Sequence, residues 1–98
     1  MRIRSPSDRP PYSIYHSDLY VETVLALQKQ YPYIDDAVQW IEWRLARNPL
    51  DEERCPAFPG RDLFLIYAEK TPRAPGLRVL YEVVGDRVYC WSLSIRPD

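Results

Sequence analysis

The stretch that decides the fold is Pro75–Asp98, PGLRVLYEVVGDRVYCWSLSIRPD. Two runs of β-branched and aromatic residues flank Gly85 and Asp86. A two-residue loop that begins with glycine between such runs is typical of a tight β-hairpin. We therefore predict a hairpin that turns at Gly85 and Asp86.

Straight pairing outward from this loop predicts which residues share a face of the sheet, because side chains alternate along a strand. One face carries Val83 with Val88, Tyr81 with Cys90, Val79 with Ser92, and Leu77 with Ser94. The other face carries Glu82 with Tyr89, Leu80 with Trp91, and Arg78 with Leu93. Both faces are substantially apolar, so we expect helices to cover one and a different partner to meet the other.

The composition is that of one small globular domain. The chain has 98 residues, of which 46% are hydrophobic and 28% charged, and a chain of this length buries roughly two-thirds of its unfolded surface. No apolar run approaches the ~20 residues of a membrane span, and the N-terminus lacks the apolar core of a signal peptide. We therefore expect a cytoplasmic protein without membrane contacts.

The formal net charge of -1 disfavours a protein that neutralises many phosphates, since such proteins carry a clear basic excess. Cys55, Cys90 and His16 are too far apart in sequence to form a metal-ligand pattern, so we predict neither a metal nor a cofactor. The two cysteines are expected to be thiols in a reducing compartment, and the alternative is a disulfide between them.

The N-terminal residues 1–11, MRIRSPSDRPP, are basic and rich in proline. Proline cannot donate to a sheet or sit inside a helix, so we predict a flexible arm before a single domain over residues 12–98. Residues 12–16, YSIYH, alternate weakly and predict a first strand. We interpret His16 as a polar residue at the end of that strand, because neither an acid nor a nucleophile lies beside it.

Two amphipathic helices are predicted after this strand. Ser17 and Asp18 can cap the first helix, which Pro32 ends. The second runs from about Ile34 to Arg47, with acidic residues at its start and arginines at its end. The apolar positions repeat at steps of three and four: Tyr20, Val24, Leu27 and Tyr31 in the first helix; Ile34, Ala37 or Val38, Ile41 and Leu45 in the second.

Two tryptophans of the second helix leave two interpretations open. We expect Trp40 and Trp43 to pack in the core or at its edge, and the alternative is a binding surface. Residues 48–60 contain three prolines and predict a loop, and residues 61–70, RDLFLIYAEK, predict a strand. The predicted fold class is α+β, with an antiparallel sheet of the N-terminal strand and a C-terminal three-stranded meander packed on a helical hairpin.

This order of elements resembles the RelE/ParE toxin superfamily of type II toxin-antitoxin and plasmid-stabilisation systems. The resemblance covers about Tyr12 to Ile95 and is carried by ARNPLD, RDLFLIY and GLRVLYEVVGDRVYCWSLSI. The last segment is similar to the family's Arg-x-x-Tyr-x-Val strand, turn and apolar final strand. The resemblance implies a helical hairpin on one face of the sheet and an active surface on the other. It also implies a cognate antitoxin that wraps the domain by helix or strand contacts.

The resemblance implies an action on translation or on DNA gyrase. RelE-like members cut messenger RNA on the ribosome, which requires cations and proton-transfer groups. Arg78 falls on the family arginine, which can grip a phosphate, and Glu82 is its candidate partner or base. The alternative for Arg78 is a structural ion pair with Glu82. The further residues predicted for RNA or partner contact are Arg61, Lys70, Arg73, Leu80, Tyr89, Trp91 and Arg96.

Several features leave enzyme activity open. RelE-like nucleases supply lysines from the strand before Arg78, whereas this strand reads LFLIYA, and no basic, tyrosine-containing tail follows Ile95. ParE-like members inhibit gyrase without catalytic residues. A further alternative is a non-toxic interaction module whose aromatic face around Leu80, Tyr89 and Trp91 binds a partner or a second copy of the chain. Tyr81 is expected in the core, on the face opposite Arg78.

Overall fold

The computed structural model describes residues 11–56 and 58–96, so the arm predicted over residues 1–11 lies outside the described residues except for Pro11. No helix in this described part is long and apolar enough to cross a membrane. The elements are β1 (Ser13–His16), α1 (Asp18–Gln30), α2 (Ile34–Arg47), a 3-10 turn (Pro49–Asp51), β2 (Glu53–Arg54), β3 (Leu63–Ala68), β4 (Leu77–Val84) and β5 (Arg87–Ile95).

The α+β class is confirmed. The five strands form one sheet in the order β1-β5-β4-β3-β2. The prediction of an antiparallel sheet is wrong at β1, which pairs parallel to β5, whereas all other pairs are antiparallel. Parallel neighbours require a long connection, and the chain between β1 and β5 supplies it with both helices and three strands. The two-residue edge strand β2 lies inside the predicted loop over 48–60 and was not anticipated.

Both helices begin and end where local sequence signals predict. The Ser17 hydroxyl accepts a hydrogen bond from the backbone N–H of Tyr20 at 3.0 Å, as expected of an N-cap. The first helix stops before Pro32, and the bounds of α2 are those predicted. Because the apolar stripes of both helices face the sheet, they form one core with the side chains of β3, β4 and β5.

The expectation that Trp40 and Trp43 pack in the core or at its edge is wrong. Their exposed fractions are 46% and 54%. Successive residues are rotated by about 100° around an α-helix, so both tryptophans lie off the stripe that contains Ile41 and Leu45. The two tryptophan rings of α2 therefore lie outside the core.

The hairpin turns at Gly85 and Asp86 as predicted, and Gly85 has φ +61, a conformation that suits glycine. The register near the loop is also confirmed, with Tyr81 opposite Cys90. Beyond it the straight pairing is wrong, because a β-bulge shifts the register by one residue at Trp91. The pairs on the far side are Leu80 with Ser92, Val79 with Leu93, Arg78 with Ser94, and Leu77 with Ile95.

The bulge has a hydrophobic cause. Straight pairing would place Ser92 in the core and Leu93 on the opposite face, whereas one extra residue reverses this assignment. Leu93 is 5% exposed and lies opposite Val79, which is fully buried. The bulge thus places Leu93 in the core together with Val88 and Cys90 of the same strand.

Tyr81 lies in the core, as predicted. It is fully buried, and its hydroxyl donates a hydrogen bond to the backbone carbonyl of Pro49 in the 3-10 turn. Burial raises the pKa of the Tyr81 hydroxyl well above its usual range. The tyrosine therefore stays neutral and fastens the segment after α2 to the centre of the sheet.

Candidate functional site

The face of the sheet that points away from the helices, here called the open face, carries most of the predicted site. Residues of β4 alternate between buried and accessible, so Arg78, Leu80 and Glu82 share the open face while Tyr81 does not. Tyr89 pairs with Glu82, and Tyr15 pairs in parallel with Tyr89. Strands β1, β4 and β5 thereby build one continuous surface.

Three aromatic rings form a row across β1 and β5. The centroids of Tyr15 and Tyr89 are 5.3 Å apart with an interplanar angle of 27°, and those of Tyr89 and Trp91 are 6.0 Å apart at 19°. The guanidinium of Arg87 lies 5.7 Å from the ring centroid of Tyr15. Such rings present apolar faces with polar edges. The row therefore offers an apolar surface with polar edges to a partner.

Glu82 is held by three hydrogen bonds at one end of the row. Its carboxylate accepts from Arg61 Nε at 3.0 Å and from Arg61 Nη2 at 2.7 Å. It also accepts from Trp91 Nε1 at 3.1 Å. The bonds from Arg61 lower the pKa of Glu82, although burial acts in the opposite direction. A carboxylate with a lowered pKa is a weak base, so this arrangement disfavours Glu82 as the proton acceptor of a nuclease.

Arg78 is exposed at the other end of the open face, opposite Ser94 in β5 and Tyr67 in β3. It forms neither a hydrogen bond nor an ion pair with any residue between 11 and 96 that the structure describes. The structural alternative, an ion pair with Glu82, is therefore absent, since Glu82 pairs with Arg61 instead. Arg78 is available to contact an anionic group of a partner.

The remaining predicted contact residues fall at different places. Leu80 is half-buried between Arg78 and Glu82 on the open face. Arg96 lies over the ring of Tyr67 at 4.8 Å and pairs with Glu69 at 3.5 Å. Lys70 is exposed after β3, and Arg73 lies over the ring of Tyr33 at 5.0 Å, beside the start of α2. Arg73 therefore lies beside the segment that leads into α2 and is not part of the aromatic row.

Sequence reasoning missed Tyr15 and Arg87, which complete the open face. Both belong to this surface only because β1 pairs in parallel with β5 and aligns Ser13 with Arg87 and Tyr15 with Tyr89. The pairing of β1 could not be read from local periodicity. The weak alternation of residues 12–16 was the one signal available for that strand.

His16 ends β1, as predicted, but the premise that no acid lies beside it is wrong. Its Nε2 lies 2.7 Å from Oε1 of Glu42, which comes from α2. The imidazole also stacks on Tyr20, with ring centroids 5.0 Å apart, and the Tyr20 hydroxyl donates to Glu42 at 3.4 Å. This group lies on the helix-covered side and ties β1, α1 and α2 together.

The open face can therefore make apolar contacts with a partner and bind an anionic group, but its one predicted base, Glu82, is already hydrogen-bonded to Arg61 and Trp91. In the part of the chain that the structure describes, no cluster of three or more His, Cys, Asp or Glu residues could hold a metal ion. Comparisons of the chain with protein-family models, with curated proteins and with solved structures give no match.

Proposed function

We propose that the chain is the toxin component of a type II toxin-antitoxin pair, RelE/ParE-like in fold, that acts in the cytoplasm through contacts of its open face. The observation that carries the proposal is the contrast between two charged residues of β4. Arg78 is exposed without an ion-pair partner among the described residues, whereas Glu82 is held by Arg61 and Trp91. A surface with a free cation but a sequestered carboxylate suits binding better than RNA cleavage.

Two further features support this proposal. The helical hairpin covers one face of the sheet and leaves the other free, which is the arrangement that the sequence resemblance implies. The open face also carries the aromatic row of Tyr15, Tyr89 and Trp91. Aromatic residues and arginine are enriched at protein interfaces, so the same face suits a ribosomal or gyrase target and the antitoxin that would block it.

The test is induction of the chain alone in a bacterial culture, with growth and soluble protein measured together. We expect growth arrest by the parent chain and relief by Arg78→Ala or Tyr89→Ala at equal expression. Arg47→Ala is the matched control, because Arg47 lies on α2 and stacks on Trp43 at 4.5 Å, away from the open face. Its variant should arrest growth like the parent chain.

A Glu82→Gln variant separates contact from cleavage. Arrest that survives this change supports a contact-based toxin, and restored growth together with loss of ribosome-associated RNA cleavage would instead assign a catalytic role to Glu82. Gyrase supercoiling assays then distinguish the two target classes.

The aromatic row also favours a second candidate function, a non-toxic interaction module. Tyr15 and Trp91 remain exposed in the isolated chain, and exposed aromatic rows mark binding surfaces. This candidate predicts unimpaired growth while soluble protein accumulates. It also predicts a complex, with a partner or with a second copy of the chain, that Tyr89→Ala disrupts in size-exclusion chromatography.

A further inference from the structure

A cleft of about 530 Å³ lies between the start of α2 and a wall formed by the end of β3 and the segment that follows it. One wall consists of Asp36, Ala37 and Trp40 of α2 together with Tyr33, which precedes the helix, and the opposite wall consists of residues 67–69 and 71–74. Its size falls within the range of small-ligand sites in proteins. The cleft is separate from the aromatic row of the open face and does not depend on the function proposed above.

The helix wall combines a carboxylate with an aromatic ring on one face. Asp36 and Trp40 are four residues apart, so they are neighbours on the helix surface. In the described part of the chain, neither a ring nor a cation stacks on Trp40, and no residue donates a hydrogen bond to the Asp36 carboxylate. Tryptophan is the side chain whose face attracts cations most strongly. The pair therefore offers two unused groups that both favour positive charge.

The cleft already accommodates one cation of the chain itself. The guanidinium of Arg73 lies 5.0 Å from the ring centroid of Tyr33, at the end of the cleft where α2 begins. The backbone that carries Arg73 is fixed, since the Thr71 hydroxyl accepts from the N–H groups of Arg73 at 3.2 Å and Ala74 at 3.0 Å. The position of Arg73 shows which chemistry the aromatic lining accepts.

We propose that this cleft binds an organic cation of the guanidinium or alkylammonium class, with its charge between Asp36 and the face of Trp40 and its apolar stem along Ala37. The Arg73 guanidinium lies over the neighbouring ring of Tyr33, and its positive charge repels the bound ligand. It therefore limits the affinity of the site and competes with the ligand for the aromatic lining.

The test uses N-acetyl-arginine amide and N-acetyl-lysine amide as probes, with N-acetyl-norleucine amide as the uncharged control of similar stem length. The tryptophan indole N–H resonances of the ¹⁵N-labelled full chain are followed during titration at constant ionic strength, and Trp40→Leu and Trp43→Leu variants assign them. We expect a saturable shift of the Trp40 resonance with the cations and little change with norleucine amide. Ethylguanidinium, tested in parallel, separates free small cations from side chains of a peptide.

Matched variants show whether the named groups bind the probe. Asp36→Asn and Trp40→Leu should each weaken binding by roughly two- to fivefold, the range expected of one exposed cation–π or charge contact. Asp35→Asn is the control for the first change, because Asp35 shares the first turn of α2 but accepts from Gln28 at 2.6 Å outside the cleft. Trp43→Leu is the control for the second. Both controls should bind like the parent chain.

Arg73→Ala should strengthen binding of the cations, since it removes a competing charge. Weaker binding of the cations in this variant would show that Arg73 supports the site instead of competing with the ligand, which would overturn the proposal. Equal binding of norleucine amide would overturn it too, because the site would then be a general apolar pocket. Equal losses in the Asp35 and Asp36 variants would mean that overall charge, rather than this site, attracts the probe.

Discussion

The β-bulge at Trp91 predicts that Leu93→Ala is strongly destabilising. Leu93 is 5% exposed and packs opposite Val79. Removing three buried carbon atoms loses about 2.4 kcal/mol at ~0.8 kcal/mol per methylene. The cavity left behind brings the expected loss to roughly 3 kcal/mol, within the usual range for such a change.

Thermal and urea unfolding followed by circular dichroism measure this loss. For a domain of this size the expected fall in Tm is roughly 12–24 °C, at about 4–8 °C per kcal/mol. Ile95→Ala is the matched control on the same strand, because Ile95 is 40% exposed and its truncation should cost about 1 kcal/mol or less. If Leu93→Ala costs no more than Ile95→Ala, then Leu93 lies outside the core and the bulged register is wrong.

Two further changes test the hydrogen bonds of β4. Tyr81→Phe leaves the Pro49 carbonyl without its buried donor and should lower the free energy of unfolding by about 1–3 kcal/mol, measured by urea titration. The control Tyr89→Phe changes a part-exposed ring and should lower the free energy of unfolding far less. Equal losses in the two variants would contradict the role of Tyr81. The pKa of Glu82 is lower in the folded protein than in the unfolded chain, where it is near 4.5. The ionised carboxylate therefore stabilises the fold above the unfolded-state pKa, and this stabilisation is lost as the pH falls through the folded-state pKa. The stability of Glu82→Gln should therefore lie furthest below that of the parent at pH 7 and converge with it in acid, and a gap independent of pH would refute the ion pair with Arg61.

Local signals were sufficient for the helices and for the hairpin loop. Ser17, Pro32 and Asn48 act on their own immediate neighbours, so their effects can be read from a short stretch of sequence. The same holds for Gly85, whose positive φ fixes the turn. These elements required no knowledge of what packs against them.

The wrong predictions concern strand register and side-chain environments, which depend on contacts between distant parts of the chain. The prediction of straight pairing at Trp91 was wrong because Leu93 is buried in the core instead of Ser92. The residues that bury Leu93 come from β4 and the helices, so the sequence of β5 alone could not show this. The environment of His16 depended on Glu42, 26 residues away. Trp40 was assigned to the core by its apolar character, but its angular position on α2 left it outside.

In the candidate site, too, local sequence patterns predicted some features, whereas distant residues decided others. The period of two along β4 correctly placed Arg78, Leu80 and Glu82 on one face. The partner of Glu82 was not predictable in this way, because Arg61 reaches it from the segment before β3. The pairing of β3 with β4 brings Arg61 to Glu82, and this leaves Arg78 without an ion-pair partner among the described residues.

Because Cys90 is buried, the rate at which a thiol reagent labels it reports on the unfolding of the protein. The Cys90 thiol is fully buried, and burial raises its pKa to about 12, so at neutral pH it reacts with a thiol reagent only when the sheet opens. Cys55 is part-exposed in the loop before β3 and should react first. One labelling time course thus yields a rapid phase suited to attaching a fluorophore and a slow phase whose rate follows unfolding, without any engineered cysteine.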